Sequence, residues 1–171
     1  MAASVEENVR VTDVAAASGM HSLQFNDGPG GAVYFPHLFR ELKYLSGKVR
    51  ISFDLRATAG SDWEFVCRDN TPWFTDGPNV RVKPGGHLES SGQPVATLPL
   101  DAWVHLDLVC AVGPDRTGEY TLAVTLPDGR AQATTIRLKE QFGELGWIGF
   151  AGLSTEREKT YIDNFELHPE Q

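Results

Sequence analysis

Along most of the chain, apolar and polar residues alternate with a period of two. VRVTDV, HSLQF, KVRISFDLRA, DWEFVCRD, NVRVK, WVHLDLVCAV, EYTLAVTL, AQATTIRL, GWIGFAG and TYIDNFEL all follow this pattern, separated by Gly, Pro, Asp and Asn. The pattern predicts about ten half-buried strands. Helical spacing fits only Pro36 to Leu45, PHLFRELKYL, which reads equally well as an extended segment with a turn. Pro127, Asp128 and Gly129 join two strand-like runs and predict a hairpin, because Asp and Gly tolerate the backbone angles of a tight turn. Many short strands at this spacing imply an all-β fold of two antiparallel sheets, a sandwich or jelly roll. Residues 1–8 are polar enough to be a flexible end, leaving 9–168 as a single domain.

Alternation also assigns faces. Ile51, Phe53 and Leu55 point to the core, so Ser52, Asp54 and Arg56 point away. The same test buries Trp63, Phe65 and Cys67 and turns out Glu64, Val66 and Arg68. It buries Val80 and Val82 over Arg81 and Lys83, and Val104, Leu106 and Leu108 over Trp103, His105 and Asp107. If these strands share one sheet, a single face carries Asp54, Arg56, Glu64, Arg68, Arg81, His105 and Asp107, with His87 and Glu89 nearby. Such a face is either a solvated lattice of cross-strand ion pairs or a polar groove for a polyhydroxylated ligand. Trp73 and Phe74 lie in a turn-rich stretch, where they serve recognition or roof the core.

In YIDNFEL, Tyr161 to Leu167, strict alternation puts Asp163 on one face with Tyr161, Phe165 and Leu167. A carboxylate among core side chains is costly unless hydrogen-bonded or bound to a cation.

Composition narrows the field. At 171 residues the chain suits one domain with its own core. A net charge of -8 argues against nucleic acid or an anionic membrane as partner. No run approaches the roughly 18 apolar residues of a membrane span, so no membrane insertion is expected. The start, MAASVEENVR, lacks the basic and apolar regions of a signal peptide, and the chain as given reads as soluble. Cys67 and Cys110 fall in strand-like runs, as buried thiols or one disulfide.

The phrases SGMHSLQF, VRISFDLR, WVHLDL, YTLAVTLPDG, WIGFAG and YIDNFEL, in that order, resemble the concanavalin A-like lectin/glucanase superfamily. Within it they are similar to laminin G-like and jelly-roll modules attached to bacterial polysaccharide-processing enzymes. The resemblance implies a jelly roll that binds glycans, usually without catalysis, on its concave face or loop edge. It implies that Asp163, in the terminal Y-I-D-N phrase, ligates a structural calcium together with an acidic residue near the start. Only Glu6, Glu7 and Asp13 are available there, without the family's usual phrase. The alternative is that the Asp163 carboxylate accepts backbone N–H bonds and locks a loop. It also implies an extracellular or periplasmic setting, within a larger secreted protein.

The E-x-D-x-x-E motif of the superfamily's glycosidases is absent, and Glu64 and Asp69, five apart, fall on opposite faces of an ideal strand. No alginate-lyase pattern is recognisable, although Arg68, His105 and Arg81 would suffice for a β-elimination if they converged. The expectation is noncatalytic polysaccharide binding. Trp73 and then Trp103 would stack on sugar rings, Arg56 and Arg68 would donate bidentate hydrogen bonds, and Asp54 and Glu64 would accept, with Arg81, His105 and Asp107 completing the site. Acidic sugars are slightly favoured because guanidinium pairs bidentately with carboxylate. A lyase or hydrolase on the same face, or a structural, protein-binding module, is the alternative.

Overall fold

A computed structural model describes residues 8–29, 32–139 and 141–170. Among the described residues, thirteen strands form two antiparallel sheets. They are β1 (Asn8–Thr12), β2 (Ser22–Asn26), β3 (His37–Tyr44), β4 (Gly47–Ala57), β5 (Trp63–Arg68), β6 (Asp76–Lys83) and β7 (His87–Ser90), then β8 (Gln93–Thr97), β9 (Val104–Val112), β10 (Glu119–Thr125), β11 (Ala131–Arg137), β12 (Leu145–Gly152) and β13 (Lys159–Glu170). One sheet runs β1-β2-β13-β4-β9-β10-β11 and the other β3-β12-β5-β6-β7-β8. Early and late strands interleave in both, as a jelly roll requires. Of the expected flexible end, residues 1–7, with Glu6 and Glu7, lie outside the described residues, and Asn8 opens β1.

The core follows the period-two reading. Ile51, Phe53 and Leu55 from one sheet meet Trp63, Phe65, Cys67, Val80 and Val82 from the other, all buried. Phe53, Phe65 and Phe150 interlock at centroid distances of 5.0–6.0 Å. Tyr120 spans the sandwich: from β10 its hydroxyl reaches Ser90 Oγ at 2.5 Å and donates to the Asn79 carbonyl at 3.3 Å. Cys67 and Cys110 are buried free thiols. The PDG turn closes the β10–β11 hairpin, with Leu126 N–H on the Arg130 carbonyl at 2.8 Å and Gly129 at φ 83°.

Pro36–Leu45 is extended, not helical. His37–Tyr44 pairs with β12, so Leu42 and Tyr44 pack against the core while His37, Phe39 and Glu41 face out. Pairing with an existing sheet outweighs a weak local helical preference.

Strict alternation fails in β13. A bulge between Asp163 and Glu166, with Asn164 at φ 49°, shifts the pleat by one residue. Ile162 lies in the core, and beyond the bulge Phe165 and Leu167 turn inward, Phe165 lying 5.4 Å from the Phe150 ring. Tyr161 and Asp163 are on the outer face, with Arg56 over the Tyr161 ring at 5.5 Å. The expected sharing of a core face by Asp163, Phe165 and Leu167 is therefore corrected.

Candidate functional site

The expected single polar face is divided between the sheets. Asp54, Arg56, His105 and Asp107 lie on β4 and β9, outside the seven-stranded sheet, whereas Glu64, Arg68 and Arg81 lie on β5 and β6, outside the six-stranded one. Period two fixes which side of its own strand a residue takes, but not which sheet the strand joins. The Arg68–His105–Arg81 grouping is thereby excluded as one site.

On the seven-stranded sheet the groups satisfy one another. Arg50 Nε donates to both Asp107 oxygens at 3.0 Å, and the pair holds the Arg50 guanidinium above its ordinary range. His105 Nδ1 lies 2.8 Å from Asp54 Oδ1, and Asn164 Nδ2 donates to Asp54 Oδ2 at 2.6 Å. Arg56 donates from Nε to the Asp101 carbonyl at 3.1 Å. Trp103, immediately before β9, is half-buried. This is a lattice of cross-strand pairs.

Asp163 is answered by the loop between β1 and β2. Its Oδ2 accepts N–H bonds from Ala17 at 2.8 Å and Ser18 at 3.1 Å, and its Oδ1 accepts from Asn164 at 2.8 Å. The described residues do not fit calcium here. N–H donors point at both carboxylate oxygens, leaving them turned toward donors rather than toward a cation, and among the described residues no second carboxylate joins Asp163 in a group of three or more His, Cys, Asp and Glu.

On the six-stranded sheet the register builds a groove. Ala151, Glu64, Arg81 and Glu89 form one row, Gly149, Val66 and Asn79 the next, and Trp147, Arg68 and Asp76 the third. The hollow above encloses about 500 Å³, with Tyr34, Arg137 and Lys139 on its walls. On the β3 side stands an aromatic row. His37 stacks on Phe39 at 5.2 Å, Phe39 stacks on Trp147 at 5.8 Å, and the Arg68 guanidinium covers Trp147 at 4.9 Å and Phe74 at 6.0 Å. The Trp147 ring lies over Gly149, where any side chain would overlap it. Burial first, and then the Arg68 charge, push His37 below its ordinary range.

Most charged groups of the groove are committed. Arg81 grips Asp62 through two hydrogen bonds of 2.8 Å and is raised by them. Arg68 Nε donates to Asp76 at 3.1 Å, Lys83 pairs with Glu89 at 2.6 Å, and Lys139 lies 3.6 Å from Asp76. Asn79 is spent on Gly77 and on Ser91. Glu64 is different: among the described residues its carboxylate has no hydrogen bond or ion pair. Burial pushes it above the ordinary carboxylate range against the pull of Arg81 and Arg68, with Asp76 and Asp62 adding to the push.

At the groove's end, Asp69 Oδ1 accepts from Thr71 N–H at 3.2 Å, Thr71 Oγ1 at 2.8 Å and Thr75 N–H at 2.8 Å. It thus staples the 70–75 loop, at whose tip Trp73 is 92% exposed and so does not roof the core. His37, Phe39 and Trp147 are absent from the sequence-derived set. The ambiguity of 36–45 hid the first two. The spacing W-x-G-x-A in β12, an aromatic followed by two small outward residues, is the signal that marks the third.

No family model matches the chain, and no curated protein does. Among solved structures it is similar to an endo-β-1,4-glucuronan lyase from Trichoderma reesei (11% identity, TM-score 0.66, 95% of this chain and 87% of that one). It is also similar to an alginate lyase from Aplysia kurodai (10%, 0.60, 95% and 87%) and to lectin I-B4 from Griffonia simplicifolia (12%, 0.59, 98% and 95%). The fold is the concanavalin A-like jelly roll.

Proposed function

We propose that this domain binds a carbohydrate chain in the groove over the six-stranded sheet, without turning it over. One observation carries the reading: the aromatic row His37–Phe39–Trp147 runs directly into the polar floor of Arg68 and Glu64. Flat rings offer faces to the apolar side of a pyranose, and the adjacent polar groups take its hydroxyls. Trp73, exposed on the stapled loop whose Phe74 meets Arg68, would extend the same surface. That the structural neighbours include a lectin and polysaccharide lyases supports carbohydrate as the ligand class.

Affinity electrophoresis of the full chain against a panel of polysaccharides tests this. Phe39→Ala and Trp73→Ala should each weaken retardation about tenfold, while His105→Ala, on the opposite sheet, should leave it unchanged. Equal retardation of all three variants, or none of the parent chain, would reject the site.

A catalytic reading of the same groove has one observation in its favour, the unpaired Glu64 with its raised proton affinity. It requires new reducing ends or unsaturated uronates on prolonged incubation, both lost in Glu64→Gln with binding kept.

A further inference from the structure

The charges of the groove are unequal in what they leave over. Each arginine on its floor is already neutralised, Arg81 by a two-bond grip on Asp62 and Arg68 by Asp76. A ligand carboxylate arriving there finds no uncommitted guanidinium on the floor; displacing Asp62 would leave its carboxylate unpaired, and displacing Asp76 would leave it only Lys139 at 3.6 Å. Glu64 lies directly opposite Arg81 in the register and four residues before Arg68 on the same strand, half-buried, with both oxygens unbonded among the described residues. An unpaired, partly desolvated carboxylate gains most from strong hydrogen-bond donors and loses most from a second negative charge.

We infer that the groove selects neutral sugars over uronates, with Glu64 as the specificity-determining acceptor for a pair of neighbouring hydroxyls. This rests on the carbohydrate-binding reading above and reverses the preference for acidic sugars that arginine content alone suggests. Two adjacent equatorial hydroxyls present donors at the spacing of two carboxylate oxygens, so a vicinal diol satisfies Glu64 as a guanidinium would. Arg137, on the wall, is exposed and has no ion pair among the described residues. A uronate held there would gain little, because water screens an exposed pair. The aromatic row beside Glu64 stacks on either sugar and does not discriminate.

The experiment is titration calorimetry of the full chain with matched oligosaccharides differing only at C6: β-1,4-glucan, mannan and galactan oligomers, each beside its C6-oxidised form. The expected result is that at least one neutral oligomer binds on the order of tenfold or more tighter than its oxidised partner, and that Glu64→Gln loses about that factor. Gln keeps the shape and removes an unpaired, half-buried charge, and an unfolding midpoint no lower than the parent's confirms that the variant folds. Tighter binding of the oxidised forms, or neutral binding untouched by Glu64→Gln, overturns the inference and leaves the binding site standing. Binding of neither form, across this set and the wider panel, rejects the site itself.

Discussion

The six-membered ring of the Trp147 indole occupies the space that a Cβ at Gly149, two residues along the same strand, would take. Side chains at i and i+2 share a face, so a ring can lie along a strand only where its neighbour contributes no Cβ. In this position Trp147 stacks with Phe39 and receives Arg68. Gly149→Ala should lift the ring, at a cost of about 1–3 kcal/mol from overpacking, and weaken glycan binding together with stability. Urea unfolding monitored by tryptophan fluorescence, beside electrophoresis on the same variant, checks both.

Asp163 ties the last strand to the β1–β2 loop through the N–H groups of Ala17 and Ser18. Asp163→Ala should cost about 1 kcal/mol and leave ligand affinity unchanged, since the carboxylate lies outside the sheet opposite the groove. A chelator should not move the unfolding midpoint of the parent chain. A midpoint that falls with chelator, and recovers with added calcium, would return Asp163 to the role of metal ligand.

Asp69 gives the domain an acid limit. Burial works to raise its carboxyl, but hydrogen bonds from Thr75 and Thr71 prevail and hold it below the ordinary range. A depressed carboxylate contributes stability above its unfolded value of about 3.9. That stability is lost as pH falls through the lower folded value. Asp69→Asn should be less stable than the parent at neutral pH, and the difference should shrink on acidification below about pH 4. Thermal unfolding across a pH series measures it.

Glu64 has the opposite sign. Its carboxyl is raised by burial, so the fold favours the protonated form and loses stability as pH climbs through the folded value. Glu64→Gln should therefore be at least as stable as the parent at neutral pH while binding less, the signature of a functional group held at a structural cost.

The two thiols should be silent in the native state. Burial pushes Cys110 up to about 12 and Cys67 higher than its ordinary value, with the facing Cys110 adding to it. A thiol-reactive dye at mildly alkaline pH should label neither until denaturant is added, and then both.

Period-two alternation in segments such as ISFDLR and WEFVCR determined the strands, their buried rows and the all-β class, because a pleated strand with one face in a core imposes that spacing wherever it sits. It could not say which strands become neighbours. Sheet membership depends on long-range pairing, and that separated Asp54 and His105 from Glu64 and Arg68, which the pattern alone makes look alike. A one-residue bulge at Asn164 inverted the reading of Asp163, since a pleat is sensitive to every inserted residue and a bulge leaves no periodic trace. The aromatic row needed β3 to be laid beside β12. His37 and Phe39 meet Trp147 only across that ladder, so the candidate site belongs to the tertiary structure, while the residues that fill it were set by the sequence.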